Sequence, residues 1–309
     1  MRSELVADLS HNALIGVTGD DAASFLHGQF TNDVESLAVG RAQWNGWCSP
    51  KGRLLATFLL LRMRDRFLLM LPAEIAPAIA RRLTMYVLRS KVKIVDESEL
   101  YARIGIAGVN ASSSVASHWG TTPAKLESVE KDGAICVALG GERFIALVPA
   151  KAAPAMWDLL ASAEARASAE EWEWTSIQAG IPTIVAATQE AFVPQMANFD
   201  LVGGVSFSKG CYPGQEIVAR TQYRGGLKRR MALAHLAGGD RPAPGQAVYS
   251  PSFGDQSAGT IVNAARAPGG GFDALVVAQL ESLAQGFLHL GSPDGPRLEI
   301  RSQPPAPAA

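Results

Sequence analysis

Residues Ser206 to Thr221 read SFSKGCYPGQEIVART. One of the three cysteines in this 309-residue chain lies there, between a lysine–glycine pair and a tyrosine–proline turn. Pro213 suits the first position of a helix, where its missing N–H would have no partner anyway. GQEIVARTQY can then continue helically, with Gly225-Gly226 as its stop. This spacing puts Cys211 just upstream of a helix N-terminus, with Lys209 two residues away. Free backbone N–H groups and a nearby ammonium both favour thiolate over thiol, so one reading is a reactive cysteine. A lone cysteine is also commonly a small buried hydrophobe. Spacing alone leaves both readings open.

Outward from this motif, the first 165 or so residues mix strands and helices without a strict βαβ repeat, which predicts an α+β fold. Ala13–Val17 reads as a strand, followed by a helix capped by Asp20 or Asp21, with Phe25 and Leu26 facing inward. The segment from Ala42 to Pro72 reads as strands separated by turns at Ser49-Pro50-Lys51-Gly52 and Arg64-Asp65-Arg66. Ile75, Ile79, Leu83 and Tyr86 form one stripe of an amphipathic helix, and a strand follows around Val92–Val95. Tyr101–Val109 and Ala134–Pro149 supply further strands, joined by a polar, serine-rich connection from Ala111 to Thr122. KAAPAMWDLLASAEA reads as a helix. After Ala237, short apolar runs punctuated by Gly, Pro and Ser imply a small barrel or sandwich. The expected division is an α+β region over 1–230, a β-barrel over 231–301 and a disordered tail over 302–309.

Composition sets outer limits. Hydrophobic residues make up 48% and charged ones 18%, with a formal net charge of −1, as in an ordinary globular protein. No global basic field would draw nucleic acid, so any RNA contact needs a local patch and no stable nucleic-acid binding is expected. The run LLATFLLL is too short to span a bilayer, and MRSELVADLS lacks the apolar core of a signal peptide. No membrane partner is expected. Cys48, Cys136 and Cys211 are odd in number and widely spaced, which suggests neither a disulfide framework nor a structural zinc site and points to the cytoplasm. Cys211 cannot hold a metal cluster alone. It could be one ligand of a shared or transient cluster, or a redox thiol. His11, His27, His118, His235 and His289 form no hydrolase motif with it.

KGCYPGQEIVARTQYRGGLKRR (Lys209–Arg230) closely resembles the signature of the YgfZ family, folate-binding relatives of the glycine-cleavage T-protein. Mitochondrial counterparts of that family act in iron–sulfur protein maturation. The likeness continues upstream through IQAGIPTI, FVPQMANFDLVGGVSFSKGC, FLHGQFTNDV and CSPKGRLLA, covering most of residues 14–230 in order. It implies two α+β subdomains in a ring-like arrangement, with a small C-terminal β-barrel and a folate-sized cavity. It also implies tetrahydrofolate or another folate as cofactor, and iron–sulfur client proteins, tRNA-thiolating enzymes among them, as partners.

Residue by residue, the resemblance makes Cys211 the reactive centre within the motif Lys209, Gly210, Tyr212, Gly214, Gln215, Glu216 and Arg220. It places folate contacts on Trp172, Gln178, Asn32, Tyr223 and Arg224. The Trp172 indole could stack on a pterin ring or simply pack in a core, and Trp174 beside it competes for the role. By this resemblance the T-protein and many relatives carry a glutamate where this chain has Gln178, a neutral amide that loses the charge-assisted part of a pterin contact. On that view Gln178→Glu should tighten folate binding. The T-protein's catalytic aspartate follows a strand equivalent to FLLMLP, yet no aspartate lies between Arg66 and Val95, only Glu74. Aminomethyl transfer would lack its acid–base group. Arg220, Arg224, Lys228, Arg229 and Arg230 could meet a polyglutamate tail, a protein or phosphates, or form a solvated face. The leading expectation is a folate-binding accessory protein for iron–sulfur cluster assembly or repair. The alternatives are a tetrahydrofolate-dependent aminomethyl- or methyltransferase, and a non-catalytic folate-binding interaction module.

Overall fold

The computed structural model describes residues 4–162, 164–223 and 226–302. In chain order the first elements are β1 (Leu5–Asp8), β2 (Asn12–Thr18), α1 (Ala22–Gln29), β3 (Ala42–Cys48), β4 (Leu54–Arg62), β5 (Phe67–Pro72), α2 (Ala76–Thr84) and β6 (Lys93–Asp96). There follow β7 (Tyr101–Ala107), α3 (Ala111–Trp119), β8 (Ser128–Lys131), β9 (Ala134–Ala138), β10 (Arg143–Pro149), α4 (Ala153–Leu160), β11 (Arg166–Ala167) and α5 (Ala169–Gln178). The last are α6 (Gln215–Tyr223), β12 (Arg229–Leu236), β13 (Ala247–Tyr249), β14 (Ser257–Arg266), β15 (Phe272–Gln279), α7 (Leu280–Leu283), β16 (Phe287–Leu290) and β17 (Arg297–Ser302). The chain forms two compact units: residues 1–27, 33–45 and 58–172 make one, and 28–32, 46–57 and 173–309 the other. Among the described residues, no helix is long and apolar enough to cross a membrane.

In the first unit, a six-stranded sheet runs β11-β1-β7-β10-β9-β8. Its strands pair antiparallel except for β1 with β11. Ile104, Ile106, Phe144 and Val148 fill one face together with Val115 and Trp119 of α3. That helix corrects the expected serine-rich connection. Ala111, Val115 and Trp119 recur every four residues and are buried, whereas the serines, weak helix formers, lie on the other faces. Burying Val115 and Trp119 stabilises by about 1.5–3 kcal/mol each, enough to override propensity. A second sheet runs β3-β4-β5-β2-β6. Its strand β4 is buried along eight of nine residues, so the run LLATFLLL packs as a core strand.

Three local expectations need correction. The Asp21 carboxylate accepts the N–H of Lys91 (2.7 Å) instead of capping α1. Ile75, Ile79 and Leu83 are buried as the stripe predicted, but Tyr86 lies past the end of α2 and is 40% exposed. Glu74, which the sequence places in the first turn of this helix, precedes the N-cap residue Ile75 and so stands outside that turn.

In the second unit the strands after residue 228 close into a barrel, β12-β15-β14-β13-β16-β17. Closure removes the open edges that six short strands would otherwise expose. Small Ala232, Ala234, Ala274 and Ala278 alternate with Ile261, Val276, Leu288 and Leu298 in its interior. A bulge between Ile261 and Asn263 releases the Asn263 side chain to exchange two hydrogen bonds with the backbone of Thr183 (2.8 and 2.9 Å). Of the expected tail, only Ser302 is described, and it ends β17.

Candidate functional site

The cysteine motif begins as an irregular segment and becomes regular at Gln215, two residues later than Pro213 predicted. Gly214 causes the delay. Its φ is +80°, and a Cβ there would lie 2.4 Å from the Ser49 carbonyl oxygen and 2.6 Å from both N and Cα of Gly52. The turn read from SPKG is thus the seat on which the motif turn rests. It is closed by Gly52 N–H to Ser49 O and Ser49 N–H to Arg53 O, each 2.8 Å. Two flanking side chains reach inward. Tyr212 is 7% exposed, and burial, with Cys48 nearby, pushes its hydroxyl well above the usual phenol range. Lys209 is 8% exposed, donates to the Phe30 carbonyl (2.7 Å) and lies 5.1 Å from the Tyr212 ring centroid.

Cys211 itself is exposed, while Cys48 and Cys136 are buried. Both groups that the sequence set beside it have other partners: the Lys209 ammonium is turned inward, and the Gln215 N–H donates to the Tyr212 carbonyl (3.2 Å). Access is what separates the three thiols. Desolvation raises the Cys48 thiol far above its ordinary range and pushes Cys136 up to about 12, so both stay protonated at neutral pH. Iodoacetamide at neutral pH should therefore label Cys211 first, with Cys48 and Cys136 labelled only on unfolding. Peptide mass spectrometry over a time course reads this directly, and equal native rates for all three would contradict it.

The other motif residues hold or surround this loop. Gly210, Glu216 and Arg220 are exposed and Gln215 is half-buried. Gln195 donates from Nε2 to the Val218 carbonyl of α6 (2.8 Å), which ties the helix to the preceding segment. Arg230 leaves the basic run altogether: it is buried and bidentate on Asp200 (2.7 and 3.0 Å), so it is not part of a solvated face.

The residues matched to folate contacts fall in different settings. Asn32 donates to the Gly203 carbonyl (2.7 Å), beside Thr31, whose hydroxyl donates to Gly204 O (2.6 Å). Tyr223 is 70% exposed at the end of α6, edge-on to Phe207 at 6.3 Å. Arg224 lies outside the described residues. Trp172 is 3% exposed in the first unit's core, packed on Gly105 with the Arg143 guanidinium 5.0 Å from its ring centroid. Ring packing is what these contacts describe. In the second unit, Trp174 Nε1 and Gln178 Nε2 both donate to Asp273 Oδ2 (2.7 and 2.8 Å), and His235 Nδ1 lies 2.7 Å from Oδ1.

Sequence reasoning missed Asp273 and His235. Both belong to alternating strands in which one polar residue reads as an outward position. Their encounter depends on the β12–β15 register, where they are direct partners. The Trp174–Gln178 spacing, which puts both on one helix face, was the available signal.

Comparison with known proteins agrees with this architecture. Residues 2–130 match the family model described as the GCVT N-terminal domain. The chain is 35% identical over 242 residues to the tRNA-modifying protein YgfZ of Cronobacter sakazakii, spanning 76% of this chain and 72% of that protein. It is 33% identical over 229 residues to the protein of that name from Escherichia coli, spanning 73% and 69%. Among solved structures, the glycine cleavage system aminomethyltransferase T from Bartonella henselae superposes with a TM-score of 0.77 at 17% identity, covering 97% of this chain and 85% of that one. The chain therefore has the aminomethyltransferase-like fold, and by sequence it belongs to the YgfZ family.

Proposed function

We propose that this protein is a folate-binding accessory factor for the assembly or repair of iron–sulfur clusters in client enzymes, tRNA-modifying ones included, with Cys211 as its reactive centre. One observation carries the reading: an accessible thiol is mounted on a turn braced by glycine packing, while the two other thiols are buried. A loop that served only to connect elements would not need Gly214 wedged against a second turn. The relatives' name, tRNA-modifying protein, supports a role linked to tRNA. In this reading a cluster or its sulfur is cargo, handled by a single protein thiolate with the remaining ligands supplied by the client. Among the described residues no group of three His, Cys, Asp or Glu could hold a metal ion, which suits transfer better than storage.

The test is a tRNA-thiolating iron–sulfur enzyme assayed in cells that lack the endogenous protein. Wild type should restore the modified nucleoside, whereas Cys211→Ser, folded and equally abundant, should restore only a small part of it. Full restoration by Cys211→Ser would remove the thiol from the function and promote the non-catalytic interaction module. The fold likeness to an aminomethyltransferase keeps a transferase as the second reading. Its discriminating assay incubates the protein with tetrahydrofolate and an aminomethylated lipoyl carrier. Methylenetetrahydrofolate formed above the background rate, and abolished by Glu74→Gln, would favour it.

A further inference from the structure

Asp273 of β15 collects three hydrogen-bonding groups from two other elements. Trp174 and Gln178, four residues apart on α5, both donate to its Oδ2 (2.7 and 2.8 Å). His235, its cross-strand partner on β12, brings Nδ1 to Oδ1 at 2.7 Å. The Asp273 and His235 side chains are only 13% and 18% exposed. A carboxylate accepts and does not donate, so each group facing it must present its hydrogen. Two orientations follow. The Gln178 amide has its nitrogen inward and its oxygen outward on an exposed residue. The His235 ring presents its Nδ1 hydrogen to Asp273 Oδ1.

We infer that Asp273 is the positioning residue that turns the Gln178 amide oxygen outward as an acceptor, selecting a ligand that presents an N–H donor, such as the 2-amino-4-oxopyrimidine edge of a pterin. This rests on the folate reading and adds to it a residue outside the family's motif. It also reverses the expectation for position 178. A neutral amide there is no deficit, because Asp273 already supplies a carboxylate 2.8 Å behind it and fixes the amide the useful way round. A glutamate in place of Gln178 would set two carboxylates within hydrogen-bond distance, where like charges oppose joint ionisation.

The experiment is a double-mutant cycle on the full chain with 5-formyltetrahydrofolate as probe, affinity read by calorimetry and melting temperature recorded for each variant. Gln178→Glu should weaken binding by about tenfold through repulsion, and Asp273→Asn should do so by freeing the amide to flip. The double variant should bind at least roughly threefold tighter than either single, because an asparagine amide replacing Asp273 can donate to a carboxylate at position 178 and leave an oxygen outward. Gln178→Glu binding as tightly as wild type or tighter would overturn the inference, and so would a double variant whose losses simply add. Lower melting temperatures in the single variants with unchanged affinity would make the cluster purely structural and overturn it as well. Wild type that binds no probe would instead fail the folate reading itself, before any substitution is compared.

Discussion

Gly214→Ala should lower the melting temperature by roughly 10 °C. Two costs combine. Alanine at φ +80° occupies a region that L-residues avoid, at about 1–2 kcal/mol. Its Cβ would also meet backbone atoms of Ser49 and Gly52 at 2.4–2.6 Å, and backbone cannot swing aside as a flexible side chain can. Forcing the two turns apart costs another 1–3 kcal/mol or so, as overpacking does. Gly203 provides the control. Its φ is +77°, yet nothing lies within 4 Å of where a Cβ would be, so Gly203→Ala should show the conformational cost alone. A Gly214→Ala melt within about 2 °C of the Gly203→Ala melt would mean the turns are not braced against each other.

That brace was half legible in the sequence. Ser49–Gly52 and Tyr212–Gly214 each read as a turn from local chemistry, because Gly and Pro announce backbone conformations that do not depend on context. Nothing in either stretch says that one turn sits on the other, some 160 residues away in sequence, since that is a fact of tertiary packing. The fold class was legible for a similar reason: β4 and the closely spaced strands after Ala237 carry periodicities that short-range reading captures. Helix α3 was not, because its serines argue locally for a loop while Val115 and Trp119 argue through burial. Lys209 illustrates the limit at the site. Its place two residues from Cys211 was plain, but backbone direction turned its ammonium onto Phe30. Trp172 and Trp174 were near neighbours and equivalent as letters. Helical geometry sends one into a core and the other to Asp273.

Asp200→Ala should cost about 3–5 kcal/mol, read as a shift in the urea unfolding midpoint at unchanged slope. Arg230 and Asp200 are 10% and 8% exposed at their side chains, with paired contacts of 2.7 and 3.0 Å. Arg230 also donates to the Gln195 carbonyl (2.9 Å), and the Gln195 amide in turn holds Val218 on α6. Removing the aspartate leaves a guanidinium that cannot deprotonate facing the interior without its counter-ion. The pair is still not an efficient source of stability, because Arg230 Nε is buried with no hydrogen-bond partner among the described residues. The double substitution Arg230→Met with Asp200→Leu should therefore recover most of the loss, as apolar replacement of buried ion pairs often does. If stability returns in the double variant while Cys211 labelling stays as fast as in wild type, the ion pair serves the core alone. If stability returns but labelling selectivity does not, the link from Arg230 through Gln195 to α6 is what holds the cysteine loop in register. A loss below about 1 kcal/mol for Asp200→Ala would show that water reaches the guanidinium and that the pair behaves as a surface contact.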